Sequence, residues 1–164
     1  MTLQDFEPVE FIERSVRLIR ERVGDSAVVA AASGGVDSTT SALLGHRALG
    51  ERLTVVFLDD GLMREGEPAS VIESYKSLGL RPKLFDVSDE FFAALERLND
   101  PEEKRKAFRA TFYTALSKIV RELRVSFLIQ GTIAADVIET RKGVKTQHNV
   151  LEQIGIDTVG RYGY

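Results

Sequence analysis

The spacing of apolar residues divides the chain into helical and extended segments with little overlap. Val9, Ile12, Val16, Ile19 and Val23 recur every three or four residues, which predicts a helix with one apolar stripe. Gly24 follows as its stop. Ala27 to Ala32 is instead an unbroken apolar run, the pattern of a strand buried on both faces. A helix is predicted from about Asp37 to Leu49, ended by Gly50, and Leu53 to Leu58 repeats the buried-strand pattern. Val71, Ile72, Tyr75 and Leu78 mark the inner side of another helix, closed by Gly79. Lys83 to Asp86 makes a short third strand.

Further on, Ser88 is the expected cap of a brief helix carrying Phe91, Phe92 and Leu95. Asp100-Pro101-Glu102-Glu103 supplies an acidic N-cap, a proline at the first helical position and a glutamate at the third. The helix it opens sets Phe108, Phe112, Leu116, Ile119 and Leu123 on one stripe, and Val125 to Ile129 is a fourth strand. Gly131 to Tyr164 holds five glycines and no long apolar period, so it is expected to be loop-rich and partly mobile. Strands alternating with helices predict an α/β fold, a parallel twisted sheet covered by helices on both faces. In such sheets ligands bind beyond the carboxyl ends of the strands, so the loops that matter begin at Ser33, Asp59, Asp86 and Gln130.

Composition narrows the function. The 164 residues suit one domain, and no repeat, low-complexity tract or interdomain linker divides them. A net charge of −3 argues against a protein that binds nucleic acid by bulk electrostatics. No apolar run reaches the ~18 residues of a membrane span. The N-terminus lacks the basic-then-apolar order of a secretory signal, so a cytoplasmic location is expected. The absence of cysteine removes disulfides, thiolate metal sites and cysteine nucleophiles together. With only His46 and His148, a zinc site built from protein ligands is not expected either.

Ser33-Gly34-Gly35-Val36-Asp37-Ser38 lies between a buried strand and a helix. Two glycines let the backbone turn and approach a ligand with no Cβ in the way. The first-turn N–H groups of the helix are unpaired and sit at the positive end of its dipole, which suits an anion such as phosphate. Ser33, Ser38 and Thr39 add hydroxyls. Asp37 would repel phosphate by itself, but it suits Mg²⁺, an oxygen-loving ion that bridges a carboxylate to phosphates. The loop lacks the lysine of GxxxxGK[ST] and does not follow GxGxxG. A glycine turn with capping hydroxyls is the bland alternative.

SGGVDS resembles the signature of the N-type ATP pyrophosphatases, and the likeness extends to the ATP pyrophosphatase domain of GMP synthetase. LLGHRALGERLTVVFLDDGLMREGE is similar to that family's helix, second strand and following loop. DPEEKRKAFRATF is similar to its central helix, and QGTIAADVIET followed by KTQHNV to its fourth-strand loop and lid. The resemblance covers roughly Val28 to Val150, and it implies a Rossmann-like sheet of the adenine nucleotide alpha hydrolase kind. It implies that Ser33, Gly34, Gly35, Val36, Asp37, Ser38 and Thr39 hold the pyrophosphate of ATP, with Asp37 on Mg²⁺. Val56, Phe57 and Leu58 would lie near adenine, although core residues of a buried strand would look the same. Gly131 and Thr132 would contact the nucleotide. Asp136 is a second carboxylate for Mg²⁺ or, alternatively, a helix cap. Lys145, His148 and Asn149 match the lid, in which the lysine would meet phosphate or acceptor; Lys142 and Lys145 are otherwise solvated charges. Arg64, Glu65 and Glu67 read as a solvated loop and helix start, with an acceptor contact by Arg64 as the alternative.

The chemistry implied is ligase chemistry. A carbonyl oxygen, such as that of xanthosine monophosphate (XMP), attacks the α-phosphorus of ATP, pyrophosphate leaves, and a nitrogen nucleophile displaces AMP. The family makes ammonia from glutamine with a cysteine nucleophile in a separate domain; with no cysteine, this chain would need a glutaminase subunit or ammonia from solution. Residues 1–164 are expected to be one ATP pyrophosphatase domain, cut short on its C-terminal side, without the family's glutaminase and dimerisation domains or its fifth strand. Homo-oligomerisation stays open. Other members of the group, tRNA-modifying or sulfur-transferring adenylases, commonly use cysteine pairs, which this sequence lacks. A non-catalytic nucleotide-binding regulatory protein is the alternative of a different class.

Overall fold

The two unbroken apolar runs lie at the middle of a parallel sheet. β1 (Val28–Ala32) pairs with β2 (Leu53–Asp59) on one side and β4 (Phe127–Ile129) on the other. β3 (Lys83–Asp86) and β5 (Asp157–Val159) form the edges, giving the order β3-β2-β1-β4-β5. This is a computed structural model, and it describes residues 6–131 together with the backbone of 157–159.

Five helices cover the sheet: α1 (Pro8–Val23), α2 (Val36–Leu49), α3 (Glu67–Ser77), α4 (Ser88–Leu95) and α5 (Pro101–Leu123). The first three pack on one face. There Val16, Ile19, Ala42, Leu44, Ala48 and Tyr75 meet Val28, Ala30, Val55 and Phe57. α4 and α5 pack on the other face, where Phe91, Leu116, Ile119 and Val120 meet Val29, Val56, Leu58 and Leu128. Alternate residues of β1 and β2 thus enter different cores, which is why those strands are apolar throughout. The split between faces follows from handedness. Crossovers between parallel strands are right-handed, so the chain must switch faces when it reverses its direction across the sheet. It builds β1, β2 and β3 outward and then returns past β1 to β4.

Local capping fits the elements it ends. Asp100 accepts the N–H groups of Glu102 and Glu103, both at 2.9 Å, with Pro101 at the first helical position, as the sequence predicts. Arg20 of α1 donates to the Ala48 and Arg47 carbonyls at 2.8 and 3.2 Å, placing a cation at the C-terminal end of α2. Among the described residues, no helix is long and apolar enough to cross a membrane.

Four expectations change. Val9 is 68% exposed at the first turn of α1, before the helix reaches its neighbours. Leu78 falls past the end of α3 and is exposed, and Leu80, 1% exposed, fills the core place after Gly79 turns the chain at φ 81°. Ser88 is the first residue of α4 rather than its cap, because the Asp86 carboxylate accepts both its N–H and its O–H. A fifth strand is present at Asp157–Val159, paired in parallel with β4.

Candidate functional site

Where the strand order turns back, between β1 and β4, the carboxyl ends of two neighbouring strands lead in opposite directions and leave a crevice. Ser33–Ser38 follows β1 there and Gly131 follows β4, so the topology brings together two segments almost a hundred residues apart. Their approach is close. A Cβ on Gly131 would stand 2.6 Å from the Asp37 carbonyl carbon and 2.7 Å from the Ser38 nitrogen, inside the first turn of α2.

The loop holds its shape by its own hydroxyls. Ser38 is buried; its Oγ donates to the Gly35 carbonyl at 3.0 Å, accepts the Ser33 N–H at 3.2 Å and lies 2.8 Å from Ser33 Oγ. Thr39 Oγ1 also reaches the Gly35 carbonyl, at 2.9 Å. Gly34 sits at φ 78°, which a residue with a side chain rarely adopts, and a Cβ there would stand 2.7 Å from Val71 Cγ2 of α3. Gly35 is different. Its φ of −78° and ψ of 158° suit any residue, and a Cβ there would meet only Ser33 Oγ, at an ordinary 3.5 Å.

Among the described residues no side chain caps α2, so the N–H groups of Val36 and Asp37 are left pointing out of the helix, where the dipole is positive. Ser33, Gly34, Gly35, Val36 and Asp37 are exposed around that end, with Val36 80% exposed. Asp37 has no ion pair among the described residues. This arrangement can seat an anion on backbone amides and offer one carboxylate to a cation beside it.

Other expected residues lie elsewhere. Val56 and Phe57 are 0% exposed and Leu58 is 6% exposed, with side chains in the two cores. Arg64 and Glu65 are exposed, and Glu67 opens α3 while accepting the Arg64 N–H at 3.0 Å, as a solvated helix start should. Thr132, Asp136, Lys142, Lys145, His148 and Asn149 lie outside the described residues.

One residue of the site carries, in sequence, only the mark of a core position. Tyr75 of α3 is 1% exposed, and its hydroxyl lies 3.3 Å from Ser38 Oγ and 3.1 Å from Thr39 Oγ1. A tyrosine among the inner apolar positions of a helix is the available signal, because a buried phenol needs a polar partner. At the next strand end, Ser88 holds the exposed Asp86 carboxyl below its ordinary range through two hydrogen bonds, the hydroxyl's more than the amide's.

The chain is similar to several known proteins. A subunit of the glutamine-hydrolyzing GMP synthase of Sulfurisphaera tokodaii is 46% identical over 159 residues, covering 97% of this chain and 42% of the relative. The same subunit from Methanopyrus kandleri and from Pyrococcus furiosus is 43% and 46% identical, over 94% and 86% of this chain and 50% and 45% of theirs. The chain therefore spans about half or less of the length of these relatives. An NH3-dependent NAD synthetase from Campylobacter jejuni, solved in complex with nitrate, shares the fold at a TM-score of 0.67 and 20% identity. That match covers 82% of this chain and 61% of the other. Residues 8–126 match the family model described as NAD synthase, and the chain belongs to that family of loop-type ATP pyrophosphatases.

Proposed function

We propose that the chain is the ATP-cleaving portion of a GMP synthetase-type ligase, which activates the carbonyl oxygen of XMP by adenylation and passes it to ammonia. The observation that carries this reading is the Ser33–Ser38 loop at the switch point, with uncapped amides at α2 and the Gly131 backbone packed against them. The GMP synthase relatives, 43–46% identical across nearly the whole chain, favour XMP over other acceptors.

The amides near Gly35, Val36 and Asp37 would take the β and γ phosphates, and the lack of a Cβ at Gly35 leaves room for them to come close. Mg²⁺ suits the exposed Asp37 carboxylate beside those amides, with Asp136 as the second ligand; when bound, it would neutralise charge on the pyrophosphate. The acceptor oxygen attacks the α-phosphorus, the bond to the β-phosphate oxygen breaks, and pyrophosphate departs into the cradle. Its negative charge grows as it leaves, so Lys145 and His148 would add most by closing over it. Positioning and charge neutralisation suffice, and no side-chain nucleophile is needed.

Exchange of labelled pyrophosphate into ATP, measured with and without XMP, tests the proposal. Exchange only with XMP is expected. Exchange that ignores XMP would transfer the chain to another adenylating activity, such as a tRNA-modifying one. ATP binding without exchange would make it a regulatory nucleotide binder.

A further inference from the structure

The Gly35 carbonyl carries more hydrogen bonds than its place in the helix requires. As the N-cap of α2 it accepts the Thr39 N–H at 3.1 Å, the first bond of the helical ladder. It also accepts Ser38 Oγ at 3.0 Å and Thr39 Oγ1 at 2.9 Å, so three donors converge on one oxygen. The two hydroxyls differ in what else they hold. Ser38 Oγ is tied to both the nitrogen and the hydroxyl of Ser33. Thr39 Oγ1 has one other neighbour, the buried Tyr75 hydroxyl at 3.1 Å, and the carbonyl is the nearer of the two acceptors for its single hydrogen. The Thr39 hydroxyl is thus taken up inside the turn.

A trans peptide is planar, with its C=O and its N–H pointing in opposite directions, and the Gly35–Val36 peptide is trans. Drawing the Gly35 oxygen into the first turn of α2 therefore aims the Val36 N–H out of the helix, at the crevice. We infer that Thr39 is a positioning residue for the nucleotide loop: by holding the Gly35 carbonyl, its hydroxyl aims the Val36 amide at the phosphates and does not touch them itself. The inference rests on the proposal that this loop holds the phosphates of ATP.

The backbone allows that amide to be removed alone. Val36 is the first residue of α2 and is exposed, a place that suits proline, and Gly35 at φ −78° and ψ 158° already has the extended shape needed before one. The test reads ATP affinity of the natural protein and its variants by calorimetry with Mg²⁺ present, beside thermal melting. Val36→Pro should melt at or above the natural temperature. It should bind ATP at least about tenfold more weakly, the scale of one lost hydrogen bond to a charged group. Thr39→Val, which keeps the shape and removes the hydroxyl, should weaken binding about fivefold, and Thr39→Ser should restore it. The double variant Val36→Pro with Thr39→Val should match Val36→Pro within about twofold, because no amide is left to aim. Multiplied losses, about fiftyfold, would show Thr39 acting by another route and overturn the inference. So would normal binding by Thr39→Val or by Val36→Pro, or a Thr39→Ser protein as weak as Thr39→Val. Should Val36→Pro fail to fold, the Val36 amide is followed by NMR at saturating ATP. Its ATP-induced shift should shrink in Thr39→Val and return in Thr39→Ser, and an unchanged shift overturns the inference. If the unsubstituted protein binds no ATP, the nucleotide reading itself falls, and that arm shows it separately.

Discussion

Three glycines meet at the crevice for different reasons. Gly34 and Gly131 are required by the fold, one by a positive φ and the other by the backbone of Asp37 and Ser38 beneath it. Gly35 is required by neither, which leaves ligand approach as its reason. Gly131→Ala should therefore destabilise by about 1–3 kcal/mol, as overpacking does, and lower Tm by several degrees. Gly35→Ala should melt within a few degrees of the natural protein, since a smaller unfolded-state entropy offsets a poorer N-cap. It should still lose at least ~tenfold in ATP affinity, because one missing contact of about 1.4 kcal/mol is a factor of ten. Parallel melting and calorimetry separate the two, and normal ATP binding by Gly35→Ala would leave that glycine unexplained. Asp86 makes a prediction in pH. Its folded pKa lies below the ordinary value, so its stabilisation is present above the unfolded pKa and is lost as pH falls through the folded one. Melting temperature should fall less between pH 4 and pH 2 for Asp86→Asn than for the natural protein. Parallel curves would show that the Ser88 hydrogen bonds do not favour the charged form.

At the level of elements, the legible parts were those in which one local rule acts alone. β1 and β2 needed no partner information, because burial on both faces makes every position apolar. The start of α5 was equally plain, as Asp100 and Pro101 specify it within four residues. Asp100→Ala should cost about 1 kcal/mol, the usual value of an N-cap, and lower Tm by about 2–4 °C in a chain of this size. An unchanged melting temperature would mean that packing against α4 alone holds the helix. Competing causes hid the rest. β5 has three residues between glycine-bearing stretches, too short for any period, and it exists because β4 offers an edge. Leu78 fits the helical period of α3 but falls where the helix has already ended, so Leu80 takes the core place. Tyr75 obeyed the apolar period and so concealed its hydroxyl's contacts with Ser38 and Thr39. The loop itself was legible as a glycine-bearing strand-to-helix turn because its sequence and its setting state the same geometry; for Phe57 and Leu58, core burial and ligand contact predict the same apolar pattern.

For the whole molecule, the reversal of strand order makes one site from distant segments, and it also bounds what this site can supply. The crevice offers amides, hydroxyls and the Asp37 carboxylate, groups whose chemistry suits phosphate and a cation. None of these groups releases ammonia from an amide as a cysteine thiolate would, and the sequence contains no cysteine. If the proposed function holds, this portion of the protein would take its nitrogen as ammonia, from solution or from a glutaminase subunit, and the description of the relatives as single subunits of a glutamine-hydrolyzing enzyme agrees with the second source. On the proposed function, the purified natural protein with ATP, Mg²⁺ and XMP should form GMP from ammonium salts. Its rate with ammonium should climb as the pH rises from 7 to 9, because only the unprotonated fraction carries a lone pair to attack. Adding a glutaminase subunit should bring glutamine into use without changing the XMP-dependent exchange of pyrophosphate into ATP. Failure to form GMP from ammonium salts while XMP-dependent exchange of pyrophosphate persists would contradict ammonia as the nucleophile.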